Sequence, residues 1–176
     1  MLLVHPDIDS DALFALFYNE LHQLAEASLR RAGAALSLGA TTLIHEAYLN
    51  IAGRQNVAFV DRARFLAYAS RAMRGLTIDY ARRRRAAKRG GGLQITLDDE
   101  SPSAETVHTS EELERLGDAL NDLAKLEPAL AELVDMHFFA GFSFLEIAEL
   151  RGVSDRTVQR DWRKARLLLH HALLES

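Results

Sequence analysis

Cysteine is absent from the 176 residues. That absence removes disulfides, thiolate nucleophiles and cysteine-ligated zinc or iron–sulfur sites together, and it fits a reducing compartment. Three prolines and ten glycines are too few for a collagen-like chain or a Pro/Gly-rich disordered one. Aromatic residues make up only 7%, against 48% hydrophobic and 26% charged overall, a balance that folds. No run of about 18 uncharged apolar residues occurs, so no membrane span or insertion is expected. Residues Met1–Asp7 carry no basic segment and only a three-residue apolar stretch, unlike a secretory signal. The expectation is a soluble, cytoplasmic protein of one or two domains.

Charge is unevenly distributed. The net charge is −4, yet residues 61–90 hold ten bases against only Asp61 and Asp79. Residues 151–166 hold six bases against Asp155 and Asp161, which leaves five bases and 21 acids for the rest of the chain. Ordinary surfaces intersperse the two signs. Two basic islands in an acidic chain instead suggest two polyanion-binding surfaces, with the remainder repelling non-specific nucleic acid.

Apolar periodicity is helical throughout. Residues 9–32 place Leu13, Leu16, Phe17, Leu21, Leu24 and Leu29 at i, i+3, i+4 spacing, with Asp7 and Asp9 as candidate caps. Residues 41–52 gather Leu43, Ile44, Ala47, Tyr48 and Ile51 on one face behind Thr41 and Thr42. Residues 61–86 repeat Phe65, Tyr68, Ala69, Ala72, Met73, Leu76 and Tyr80, and Gly90–Gly92 is expected to end that helix. The stretch 91–110 is polar, with Asp98, Asp99, Glu100 and Pro102, and reads as a flexible linker; a short strand at Leu93–Leu97 would have no partner. Further helices are expected at 111–126, 128–139, 143–150 and 154–173, with Pro128 in a first turn. The fold class is therefore all-α: two small helical domains, 1–90 and 111–176, joined by the linker, the second a helix-turn-helix.

The most informative segment is 144–163, FLEIAELRGVSDRTVQRDWR. A helix-turn-helix needs a small residue where its helices touch and a turn four residues later, and Ala148 and Gly152 supply them. Val153 and Val158 are expected to fill the angle between the helices, with Ser154 as cap. Arg151 stands where an apolar residue is usual, so Leu150 is expected to take that packing role. The second helix then exposes Arg156, Thr157, Gln159, Arg160, Arg163 and Lys164. Arg and Gln can read base edges, and Arg163 and Lys164 are better placed for phosphates. A structural helical hairpin is the alternative.

Within the first island, Arg71, Arg74, Arg82, Arg83, Arg84, Arg85 and Lys88 share a long helix with Tyr68 and Tyr80. Such a stripe suits backbone contact and base stacking, while its ordinary reading is a solvated helix end. Catalytic constellations are missing. His45 and Glu46 are followed by Ala47, Tyr48 and Leu49, so the His-Glu-x-x-His zinc spacing fails. His170 and His171 point apart on a helix, and Gly90–Gly92 lacks the Lys-Ser/Thr of a phosphate loop. Neither enzymatic activity nor a metal or cofactor is expected.

Taken end to end, the chain resembles bacterial RNA polymerase sigma factors of the extracytoplasmic-function group. Residues 42–49, TLIHEAYL, resemble the segment that docks on the clamp helices of the polymerase β′ subunit. Residues 65–74, FLAYASRAMR, and 78–85, IDYARRRR, resemble the helix that binds and opens the −10 promoter element. The helix-turn-helix is similar to the domain that reads the −35 element. Gly75 departs from the pattern, standing where the melting helix often has Asn. The resemblance implies a factor that binds polymerase core (β′ clamp helices and β flap) and promoter DNA, with an anti-sigma factor or other regulator as a further partner. By this resemblance Leu43, His45, Glu46 and Tyr48 dock core, although the spacing of Leu43 and Tyr48 suits burial equally well. The acidic linker would run through the polymerase channel or serve as a solubilising tether. A stand-alone helix-turn-helix repressor or activator is the alternative function, and a helical protein-interaction adaptor a weaker one.

Overall fold

In the computed structural model, residues 10–32, 38–53, 59, 61–91 and 110–175 are described. They form eight α-helices and one π-helical turn: α1 Ser10–Leu16, α2 Tyr18–Ala32, α3 Ala40–Ala52, α4 Arg62–Gly91, α5 Ser110–Leu126, α6 Pro128–Val134, the π turn Asp135–Phe139, α7 Phe144–Arg151 and α8 Asp155–Glu175. Among the described residues there is no strand, so the all-α reading stands. None of these helices is long and apolar enough to cross a membrane. The linker, its acidic residues, the Leu93–Leu97 alternation and the candidate caps Asp7 and Asp9 lie outside the described residues.

Local signals account for most boundaries. The Asp61 carboxylate accepts the Arg64 amide at 2.8 Å and starts α4. That helix persists through Gly90 to Gly91, one residue into the triplet expected to end it. Pro128 occupies the first turn of α6, where its missing N–H costs nothing. Ser143 and Glu146 form half of a capping box, the Ser143 hydroxyl accepting the Glu146 amide at 3.1 Å. Gly152, at φ 67°, closes α7; its amide and that of Val153 bond back to Glu149 and Ala148, the paired arrangement a left-handed residue permits. Two expected helices are divided. The first is interrupted for one residue at Phe17, while backbone bonds from Phe17 to Leu13 and from Leu21 to Phe17 carry the chain direction through. The second, expected over 128–139, changes at Asp135 to i→i+5 bonding, with the Ala140 amide reaching the Asp135 carbonyl at 3.0 Å.

The long helix α4 contributes to every apolar cluster. Phe65, Leu66 and Met73 pack with Leu13, Leu21, Leu24, Leu43 and Ile51 of α1–α3. Its Ile78 packs with Leu113, Leu120, Leu130, Phe139 and Leu169. Its Ala67 enters a third cluster with Leu133, Met136, Ile147, Ala148 and Val158. Residues 110–175 therefore lie directly against 10–91.

Candidate nucleic-acid and polymerase interfaces

The helix-turn-helix is assembled from α7, the Gly152 turn and α8. Ile147, Ala148 and Val158 are buried where the helices meet. Val153, expected beside them, is instead 42% exposed. The left-handed Gly152 turns the chain outward there, and partly buried Leu150 does pack against the cluster. His137 braces the pair from the π turn, its ring 4.2 Å from Phe144 and 4.6 Å from Trp162 between centroids. The Ser154 hydroxyl accepts the Thr157 amide at 3.2 Å and shares a 2.9 Å bond with the Thr157 hydroxyl. It caps α8 as expected.

On α8, Arg156, Gln159, Arg160, Arg163 and Lys164 are exposed and Thr157 half-buried. Gln159 donates to Asp155 at 2.6 Å, and Arg163 donates to the Gln159 carbonyl at 3.4 Å. Arg160 pairs loosely with neighbouring Asp161 at 3.3 Å. Lys164 reaches Glu127 at 2.9 Å, so its ammonium already has an anionic partner. Exposed ion pairs of this kind are worth about 0–1 kcal/mol and exchange readily for a phosphate.

The stripe on α4 is less uniform. Arg71 and Arg83 are exposed and Arg84 half-buried; Arg85 and Lys88 lie in the last turns, where only the backbone is described. Arg82 bridges three acids: Asp79 at 3.9 Å, Glu114 at 3.6 Å and Asp118 at 3.9 Å. Arg74 departs from expectation outright. It is 3% exposed, its Nε is 2.5 Å from the equally buried Asp135 carboxylate, and it donates to Asn121 at 3.5 Å. In this arrangement it cannot touch a ligand on the outer face. Burial pushes the Asp135 carboxyl up to about 6, against the pull of Arg74. Nothing local marked Arg74 for burial, because its partner lies on a distant element.

On α3, His45 and Glu46 are exposed. Leu43 is fully buried in the first cluster, so it holds the helix in place and cannot be a contact residue. Tyr48 is half-buried; its hydroxyl donates to Asp11 and its ring meets Phe14 edge-on. Leu49, half exposed, shares the free face and was missed, since period alone does not say which side of an apolar helix stays outside.

Residues 6–175 match the model of the ECF sigma factor family. The chain belongs to the ECF sigma factor family. This sigma factor therefore acts in transcription initiation, with RNA polymerase core and promoter DNA as its partners, in a family of regulators and not of enzymes. No curated protein matches the chain. Among the described residues of the sigma factor, no three His, Asp or Glu side chains group to hold a metal ion.

Proposed function

We propose that this sigma factor directs core polymerase to promoters through two separate DNA surfaces, residues 1–90 serving the −10 element and 111–176 the −35 element, with 91–110 as the link. The observation that carries the reading is the exposed basic face of α8 behind a Gly152 turn, on the same chain as the basic helix α4. Arg156, Gln159 and Arg160 lie toward the N-terminal end of α8, the end that enters the major groove in such motifs. Arg163 and Lys164 follow a turn later and suit phosphates. Arg71, Arg83, Arg84, Arg85 and Lys88 serve the −10 region, and Arg82 joins them once free of its carboxylates.

His45, Glu46 and Leu49 present the α3 face to the β′ clamp helices. A cleft of about 490 Å³ between α5 and α8, lined by Leu116, Phe138, Trp162 and Leu173, suits an apolar helix such as one of the β flap. Transcription from a promoter library with core polymerase tests the reading. Arg160→Ala should cost about 1–3 kcal/mol at one upstream base pair, whereas Arg84→Ala should lower initiation at all promoters alike. An Arg160→Ala profile that falls uniformly, with no position singled out, would refute base reading by α8. A stand-alone regulator would bind a palindrome as a dimer without polymerase.

A further inference from the structure

Opposite charges face each other along the contact between the two halves of the chain. On α4, Arg64, Arg74 and Arg82 span about 27 Å at 1.5 Å per residue. Against them stand Glu132 at 3.8 Å from Arg64, Asp135 at 2.5 Å from Arg74, and Glu114 and Asp118 at 3.6 and 3.9 Å from Arg82. The rest of the contact is close and apolar. Gly117 lets α5 approach α4 so nearly that a Cβ there would lie 2.7 Å from the Ile78 Cδ1 atom. On the far side, Arg31 of α2 donates to the Phe138 carbonyl at 2.9 Å with its guanidinium 4.6 Å above the Phe138 ring. Ser28 reaches the Phe139 carbonyl at 3.4 Å. The π turn is thus gripped from α2 and α4 together.

We infer that the acidic face formed by Glu114, Asp118, Glu132 and Asp135 is an internal stand-in for nucleic acid, which holds the free chain closed over α4 and must be displaced before α4 engages DNA. The inference rests on the reading of α4 as a DNA-binding helix. Four carboxylates along 27 Å amount to one charge per roughly 7 Å of α4, whereas a duplex offers one per about 1.7 Å. The internal strip therefore occupies α4 when the chain is alone and yields to a denser polyanion held close by. The outer pairs are exposed enough to exchange. The buried Arg74–Asp135 pair cannot open piecemeal, since separating the two leaves a lone charge in an apolar setting. Opening is accordingly all-or-none, and affinity for DNA is reduced by the fraction of chains that are open.

The lack of cysteine permits the test on the full-length chain. Labels at Asn19→Cys and Leu126→Cys, both exposed positions, report the distance between the halves by resonance energy transfer, and a fluorescent random-sequence duplex reports affinity without polymerase. Gly117→Gln, a favourable change within α5 itself, should lower the transfer and tighten duplex binding about tenfold, for a chain that is open about a tenth of the time. Should that variant lose its helical circular dichroism, Glu114→Gln with Asp118→Asn removes charge without adding bulk and should move both readouts the same way. Lowered transfer with unchanged affinity would overturn the inference, as would a wild-type chain whose transfer already equals the variant's. Transcription with core polymerase keeps the two readings apart. An open variant that initiates normally while its duplex affinity is unchanged sinks the stand-in and spares the sigma-factor reading. Failure of both wild type and variant to initiate sinks the reading itself.

Discussion

At the scale of the residue, the environment of each side chain decides whether it contacts a partner or holds the fold. Leu43 and Glu46 are three residues apart on α3, yet one is buried in the first cluster and the other faces out. Leu43→Ala should cost about 2–5 kcal/mol in chemical denaturation. Glu46→Lys should leave the unfolding midpoint unchanged and weaken binding to core polymerase, measured by pull-down; full affinity in that variant would remove α3 from the docking surface. Asp135 carries a pH signature. Its carboxyl is raised to about 6 by burial, with Arg74 and Arg71 lowering it and Glu132 raising it. The folded state thus binds the proton more tightly than the unfolded chain does. Stability from this group falls as pH rises from about 4 to 6, and it is level above that. A shift of that size corresponds to about 3 kcal/mol. Denaturation across that window should show wild type gaining on Asp135→Asn as pH falls, and parallel curves would contradict the assignment.

The elements differ in how far the sequence announces them. Helix α6 begins where Pro128 predicts, and α7 and α8 divide at Gly152, because propensity, caps and left-handed glycine act within one turn of the residues that carry them. Gly152→Ala should therefore cost about 1–2 kcal/mol, the strain of placing a Cβ in left-handed backbone. Ser143→Ala should cost about 1 kcal/mol through the lost cap, and thermal unfolding measures both. The conversion of 128–139 to a π turn was not legible, since Asp135, His137 and Phe139 owe their positions to α2, α4 and α8. Neither was the burial of Arg74. In sequence it is one base of a stripe, and the carboxylate that buries it lies beyond residues 92–109. The candidate site was legible where exposure follows from one helix's own periodicity, as for Arg156, Gln159 and Arg160, and illegible where two distant helices share a face.

For the whole molecule, the shared helix α4 ties all three apolar clusters together. Calorimetry of the wild-type chain should show one cooperative transition. Gly117→Gln, which parts α5 from α4, should split it into two. Duplex binding without polymerase should be weak and steep in salt. If six to ten phosphates are neutralised across the two basic surfaces, log K against log salt should have a slope of roughly −5 to −9. A flat response would deny both surfaces their role.

The π turn has a consequence for how this chain can vary in length. A turn bonded i→i+5 holds one residue more than an α-helical turn over the same span. Deleting a single residue between Asp135 and Phe139 would let the backbone close as ordinary α-helix, and everything downstream would rotate by about 100° and slide about 1.5 Å. The brace from His137 to Phe144 and Trp162 would then point away, and α8 would present a different side outward. Loops elsewhere in the chain can absorb an insertion or deletion without reorienting the recognition helix; these five residues set its azimuth.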